Sequence, residues 1–281
     1  MELNVILISM ASMGGLGILF SAGLSIANRV FYVEEDPRIG EVLDALPGAN
    51  CGGCGYPGCA AFAEAIVKGA AEISGCPVNT ADGVEEIGEI MGIEATAGEK
   101  MIARVLCSGG VNEAAIKAEY RGIRSCLAAH ISGGGDKLCE YGCLGYGDCV
   151  RSCPFDAIVM NANGLPDVIV DKCTGCGNCV DACPRDIIEL HPESHKLFIL
   201  CKNEDTPKES RTICTRACIG CGICVRAVNP GEIVMENNRA KIDYSVFGTQ
   251  AKLPTEKCSA QSLVVLGTQE EIEKAKAETP A

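Results

Sequence analysis

Twenty cysteines in 281 residues carry the chemistry of this chain. Most stand in C-x2-C and C-x3-C runs, too close together for disulfide pairing and suited to a shared metal centre. The fullest run is Cys173, Cys176, Cys179 and Cys183, with Pro184 directly after. In two-cluster iron–sulfur proteins with this run, the fourth thiolate crosses to the neighbouring cluster. The crossover predicts one [4Fe–4S] set made of Cys153, Cys173, Cys176 and Cys179, and sends Cys183 to a second. The run CEYGCLGYGDCVRSCP offers Cys143 and Cys149 to that second set but carries Tyr146 where a middle cysteine would stand. Cys139, four residues before Cys143, is the expected substitute, giving Cys139, Cys143, Cys149 and Cys183.

Two further groups flank this pair. Residues 48–59, GANCGGCGYPGC, with Cys76 beyond them, supply Cys51, Cys54, Cys59 and Cys76, four thiolates in a glycine-rich loop able to wrap a cubane. The segment 60–74 reads as a helix that returns the chain to Cys76. Towards the C-terminus, an offset of 75 residues carries Cys143, Tyr146, Cys149 and Cys183 onto Cys218, Cys221, Cys224 and Cys258, and AIVM onto EIVM. A constant offset over so many positions predicts an internal repeat. Under it, Cys153, Cys173, Cys176 and Cys179 fall on Val228, Gly248, Ala251 and Pro254. One whole set is therefore missing from the second unit, while Cys218, Cys221, Cys224 and Cys258 can still close a cluster. Cys107, Cys126, Cys201 and Cys214 remain. They are enough for a fifth cluster between the two units, with buried free thiols as the alternative reading.

The elements that must position these groups are small. The chain has no tryptophan, 4% aromatic residues and 33 glycines, the composition of short loops around inorganic cores rather than of one large apolar core. Residues 3–27 hold no charge and are long enough to span a bilayer. The run lacks the basic start of a signal peptide, and Arg29 behind it predicts a retained anchor with its C-terminal side in the cytoplasm of the cell membrane. The expected fold is α+β: an anchor at 1–28, a linker at 29–47, a lone-cluster domain at 48–106, a first ferredoxin-like unit at 107–200, a second at 201–266 and a tail at 267–281. MIARVLC and LFILC read as strands, and AIVM with DVIV as a hairpin.

A formal net charge of −13 argues against nucleic acid as a partner. His130, His191 and His195 follow no ligand spacing, and no dinucleotide fingerprint or phosphate loop is visible, so no flavin or NAD site is expected. With its groups located, the chain resembles the B-subunit family of the Rnf complex. The resemblance rests on the anchor, LPGANCGGCGYPGC with Cys76, GGGDKLCEYGCLGYGDCVRSCPFDAI, CTGCGNCVDACP and CIGCGIC. It implies an electron-transfer subunit that takes electrons from reduced ferredoxin and passes them to membrane and peripheral partner subunits. In that complex the ferredoxin:NAD reaction drives sodium or proton transport. A related complex that reduces an iron–sulfur regulator and a membrane polyferredoxin of another reductase or hydrogenase are the alternatives.

Overall fold

The computed structural model describes residues 2–31, 36–247 and 254–266. Helix α1 (Glu2–Val30) has 29 residues and is about 44 Å long at 1.5 Å per residue. Over Ile6–Val30 its mean hydropathy is 1.7 and none of the described residues buries it, so Leu7, Leu19, Phe20 and Leu24 are exposed. By length and composition it is a candidate membrane span.

The next three helices enclose a small core. Helix α2 (Pro37–Asp44) starts with Asp36 accepting from the Arg38 amide and with proline at its first position. Helix α3 (Cys59–Val67) is followed by α4 (Ala81–Met91), which is capped by Thr80 and ended by Gly92 in the left-handed region. Val42, Phe62, Ile66 and Ile87 fill the space between them. Residues 37–46, expected in the linker, thus belong to this domain through Val42 and Leu46. The expected helix over 60–74 stops at Val67, and a separate one-turn helix, Ile73–Gly75, delivers Cys76.

The first ferredoxin-like unit runs through strand β1 (Met101–Val105), α5 (Cys126–Ile131), α6 (Asp148–Arg151), β2 (Ile158–Met160), β3 (Pro166–Val168), α7 (Asn178–Asp181) and β4 (Ile188–Pro192). β2 and β3 form the expected hairpin, while β1 pairs antiparallel with β4. β1 therefore belongs with this unit and not with the lone-cluster domain before it. The second unit follows the same plan: β5 (Leu197–Ile199), α8 (Pro207–Ile213), β6 (Ile233–Glu236), β7 (Arg239–Ile242) and β8 (Leu263–Val265). β6 and β7 pair through Asn237 and Asn238, both at positive φ as tight hairpin turns require, and β5 pairs with β8.

Cysteines take the place of large apolar side chains inside the first unit. Cys143, Cys149, Cys173 and Cys179 are buried with Ile102, Ile158, Ile187 and Ile188. The two units meet along a mixed seam. The buried Arg104 guanidinium lies over the Phe198 ring at 5.3 Å, Glu189 pairs with Lys202 at 2.5 Å, and His195 stacks on Tyr244 at 4.1 Å. The Tyr244 hydroxyl donates to the Leu197 carbonyl oxygen at 2.9 Å.

Candidate metal centres

At the N-terminal loop, the Asn50 side-chain oxygen accepts from the Cys59 amide at 2.9 Å, holding the loop against the start of α3. Cys54, Cys59 and Cys76 pack on the Val42–Phe62 core. Burial raises the Cys76 thiol pKa, with the charges of Cys54 and Cys51 adding to it. The four expected residues of this group are thus brought together.

Cys153, Cys173, Cys176 and Cys179 line one cavity with Ala103 and Ala157. The Ala103 amide donates to Cys173 Sγ at 3.5 Å, and the Ala157 amide to Cys153 Sγ at 3.4 Å. Such donors stabilise negative charge on sulfur. Cys218, Cys221, Cys224 and Cys258 line another cavity, with Cys221 exposed. Burial alone would raise the Cys258 thiol pKa, but the Ser262 hydroxyl and backbone amides bring it below its usual value.

Two cysteines exchange places relative to the sequence expectation. The cavity holding Cys143, Cys149 and Cys183 is completed by Cys126, not by Cys139. Cys139 instead joins Cys107, Cys201 and Cys214 around a separate cavity. The cause is a long-range tether: Asp148 Oδ2 accepts from the Ser125 hydroxyl at 2.9 Å and from the Leu127 amide at 3.1 Å. This fixes the start of α5, and with it Cys126, beside α6 and Cys149. Tyr146, at the position of the absent cysteine, donates its hydroxyl to Asp136 at 2.8 Å.

The donor chemistry fits clusters better than single ions. Zinc draws its sulfurs to about 2.3 Å. Among the described residues, no three His, Cys, Asp or Glu side chains converge closely enough to hold one ion. The thiols instead stand around cavities. Burial is the first cause that pushes Cys143, Cys179 and Cys201 up to about 12, so a thiolate there needs a metal's positive charge to offset its cost.

Neighbouring groups touch. A Cβ on Gly53 would lie 2.6 Å from the Cys176 carbonyl oxygen, so only glycine permits that approach, and Asn178 donates to the Cys51 carbonyl at 3.2 Å. Cys149 lies near enough for its charge to act on Cys179. The sequence did not single out Asn178, whose part depends on a partner 127 residues away.

Comparison with known proteins finds iron–sulfur families along the chain. An Fe-S cluster family model matches residues 46–78, and two 4Fe-4S dicluster models match 137–190 and 172–227. The chain is 51% identical over 242 residues to the B-subunit of the Na(+)-translocating ferredoxin:NAD(+) oxidoreductase complex of Acetobacterium woodii, covering 86% of this chain and 73% of that one. The chain belongs to the B-subunit family of the Rnf complex. Two further members of that family extend the match. The B-subunit of the ion-translocating oxidoreductase complex of Methanosarcina acetivorans is 40% identical over 85% of this chain and 91% of its own length. The B-subunit of the proton-translocating ferredoxin:NAD(+) oxidoreductase complex of Clostridium ljungdahlii is 36% identical over 95% of both. Family membership makes this chain an iron–sulfur electron-transfer subunit of an oxidoreductase complex.

Proposed function

We propose that this chain carries electrons from reduced ferredoxin towards the partner subunits of an ion-translocating ferredoxin:NAD oxidoreductase complex. The observation that carries the reading is the contact order of its cysteine groups. The Cys51 group touches the Cys176 loop, and the Cys153 set in turn adjoins the set of Cys126, Cys143, Cys149 and Cys183. These three sets, with Cys218, Cys221, Cys224 and Cys258, are assigned as [4Fe–4S] ligands. A bound cubane supplies a one-electron couple whose potential follows charge, hydrogen bonding and exposure.

The chain's own groups provide the thiolates, the amide donors to sulfur and the dry surroundings. Buried Ile102, Ile158, Ile187 and Ile188 keep water from the first unit's sets. The 75-residue repeat is supported by the strands: β2 begins at Ile158 and β6 at Ile233, β4 at Ile188 and β8 at Leu263. α1 anchors the relay in the membrane, and Arg29 at its end favours a cytoplasmic location for the cysteine domains. Flavin, nicotinamide and the ion path are assigned to partner subunits.

The test is anaerobic titration of the full-length chain with reduced ferredoxin. The expected result is bleaching of a broad iron–sulfur absorbance and the appearance of paramagnetic reduced clusters. A colourless, zinc-loaded chain that ferredoxin leaves unchanged overturns the reading.

A further inference from the structure

The relay as assigned has a gap: the three sets of the N-terminal domain and first unit touch in order, but the Cys218 set stands in the second unit. The cavity between the units is lined by Cys107 and Cys139 from the first side and by Cys201 and Cys214 from the second. Cys107 lies just beyond β1 and Cys201 just beyond β5, so each unit supplies a thiol from the end of its paired strand. The other two, Cys139 and Cys214, are related by the same 75-residue offset as the hairpins.

The walls are built for an occupant. A Cβ on Gly142 would meet Cys139 Sγ at 3.2 Å and Cys107 Sγ at 3.6 Å, and one on Gly109 would meet Cys214 Sγ at 2.9 Å. Side chains at either position would crowd the sulfurs that these glycines leave free. The backbone is clasped around the cavity from both units. The Ser108 amide donates to the Leu200 carbonyl at 3.0 Å, and the Thr215 amide to the Glu113 carbonyl at 3.1 Å. Lys137, only 4% exposed, reaches the Gly109 carbonyl at 2.8 Å and lies close enough to Cys143 for its charge to act there. A buried ammonium needs negative charge nearby, and a thiolate at Cys143 would provide it.

The same cavity is wired to its neighbours. The Cys143 amide donates to Cys107 Sγ at 3.4 Å, and the Cys218 amide to Cys201 Sγ at 3.2 Å. Each flanking set therefore has one ligand residue hydrogen-bonded directly to a sulfur of this cavity.

We propose that Cys107, Cys139, Cys201 and Cys214 hold a fifth [4Fe–4S] cluster, which joins the two units into one continuous path. The proposal rests on the electron-relay reading and deepens it. In each transfer the site gains one electron from one flanking set and gives one to the other, with no bond made or broken. Lys137 is a positioning charge that favours the reduced form at this junction.

Iron and sulfide counts on the anaerobically reconstituted full-length chain test the site, together with Mössbauer spectra. Wild type is expected to hold about 20 irons, and Cys214→Ser about 16 with the other spectral components retained. Gly142→Leu, which leaves every thiol in place but fills the cavity, should also lower the count to about 16. Lys137→Met should move one midpoint potential to a more negative value. An unchanged set of potentials overturns the role given to Lys137. A wild-type count near 16 that Cys214→Ser leaves untouched overturns the fifth cluster while the relay stands. A chain without iron overturns the relay itself.

Discussion

The two ferredoxin-like units share a strand plan and differ in what fills it. The first buries Cys149, Cys173 and Cys179 among its isoleucines. In the second, Val228, 75 residues beyond Cys153, packs with Phe247, Tyr244 and Ile242 around Ile233. Gly248 and Ala251, expected at two other lost ligand positions, lie outside the described residues, and Pro254 opens a short helical turn. On the proposed assignment, a cluster and an apolar plug are alternative ways to complete one small scaffold. Either supplies the buried volume that three-residue strands cannot supply alone. A partial thiolate set would leave costly buried groups with no metal to balance them, so such a set is expected whole or not at all.

The largest test of this comparison removes one ligand from each unit. Cys179→Ala and Cys258→Ala should each lower the iron count by about four. Cys258→Ala should also abolish hydrogen-exchange protection across β5 and β8, because no second cluster lies within that unit's own core. Retained protection there would mean that packing alone holds the second unit. Phe198→Ala removes a side chain buried at the seam and should cost about 3–5 kcal/mol in denaturant unfolding. A cost below about 1 kcal/mol would show that the units fold without leaning on each other.

Smaller effects sharpen the same seam. Tyr244→Phe loses the bond to Leu197 and should cost about 1 kcal/mol. Glu189 is held at about 2, first by its hydrogen bond with His191 and then by Lys202, against the opposing effect of burial. Its pKa is depressed, so its stabilisation is complete above the unfolded value of about 4.3 and is lost as pH falls towards about 2. The carboxylate is 42% exposed and therefore screened, so Glu189→Gln should cost less than about 1 kcal/mol near neutral pH. The cost should shrink below about pH 4. A cost that persisted undiminished below about pH 2 would contradict the pairing. The smallest effect is expected from Val228→Cys, which should add no iron, since one thiol cannot restore a four-ligand site.

The sequence made the motif-bound groups legible because their ligands sit on tight local loops: Cys51 with Cys54 and Cys59, Cys173 with Cys176 and Cys179, and Cys218 with Cys221 and Cys224. Cys126 and Cys139 were not legible. Cys139 is near Cys143 in sequence, yet the glycine-bearing turn between them sends the two thiols to different cavities. Cys126 reaches its cavity through the Ser125–Asp148 bond, and no local pattern announces a tether over 23 residues. The 75-residue offset pairs Cys139 with Cys214 but equally Cys126 with Cys201, so it does not by itself tell the two cavities apart. The fold was legible as strands and hairpins. The domain edges were not, because β1 and β5 pair with strands more than 60 residues away.

Cys221 is the one exposed residue among twenty otherwise sheltered thiols. An opening that lets a protein partner approach a metal centre also admits dioxygen. Damage in air should therefore begin at Cys218, Cys221, Cys224 and Cys258 and spread inward, so that an ageing preparation loses the outermost stage of its path first and keeps the sheltered interior longest.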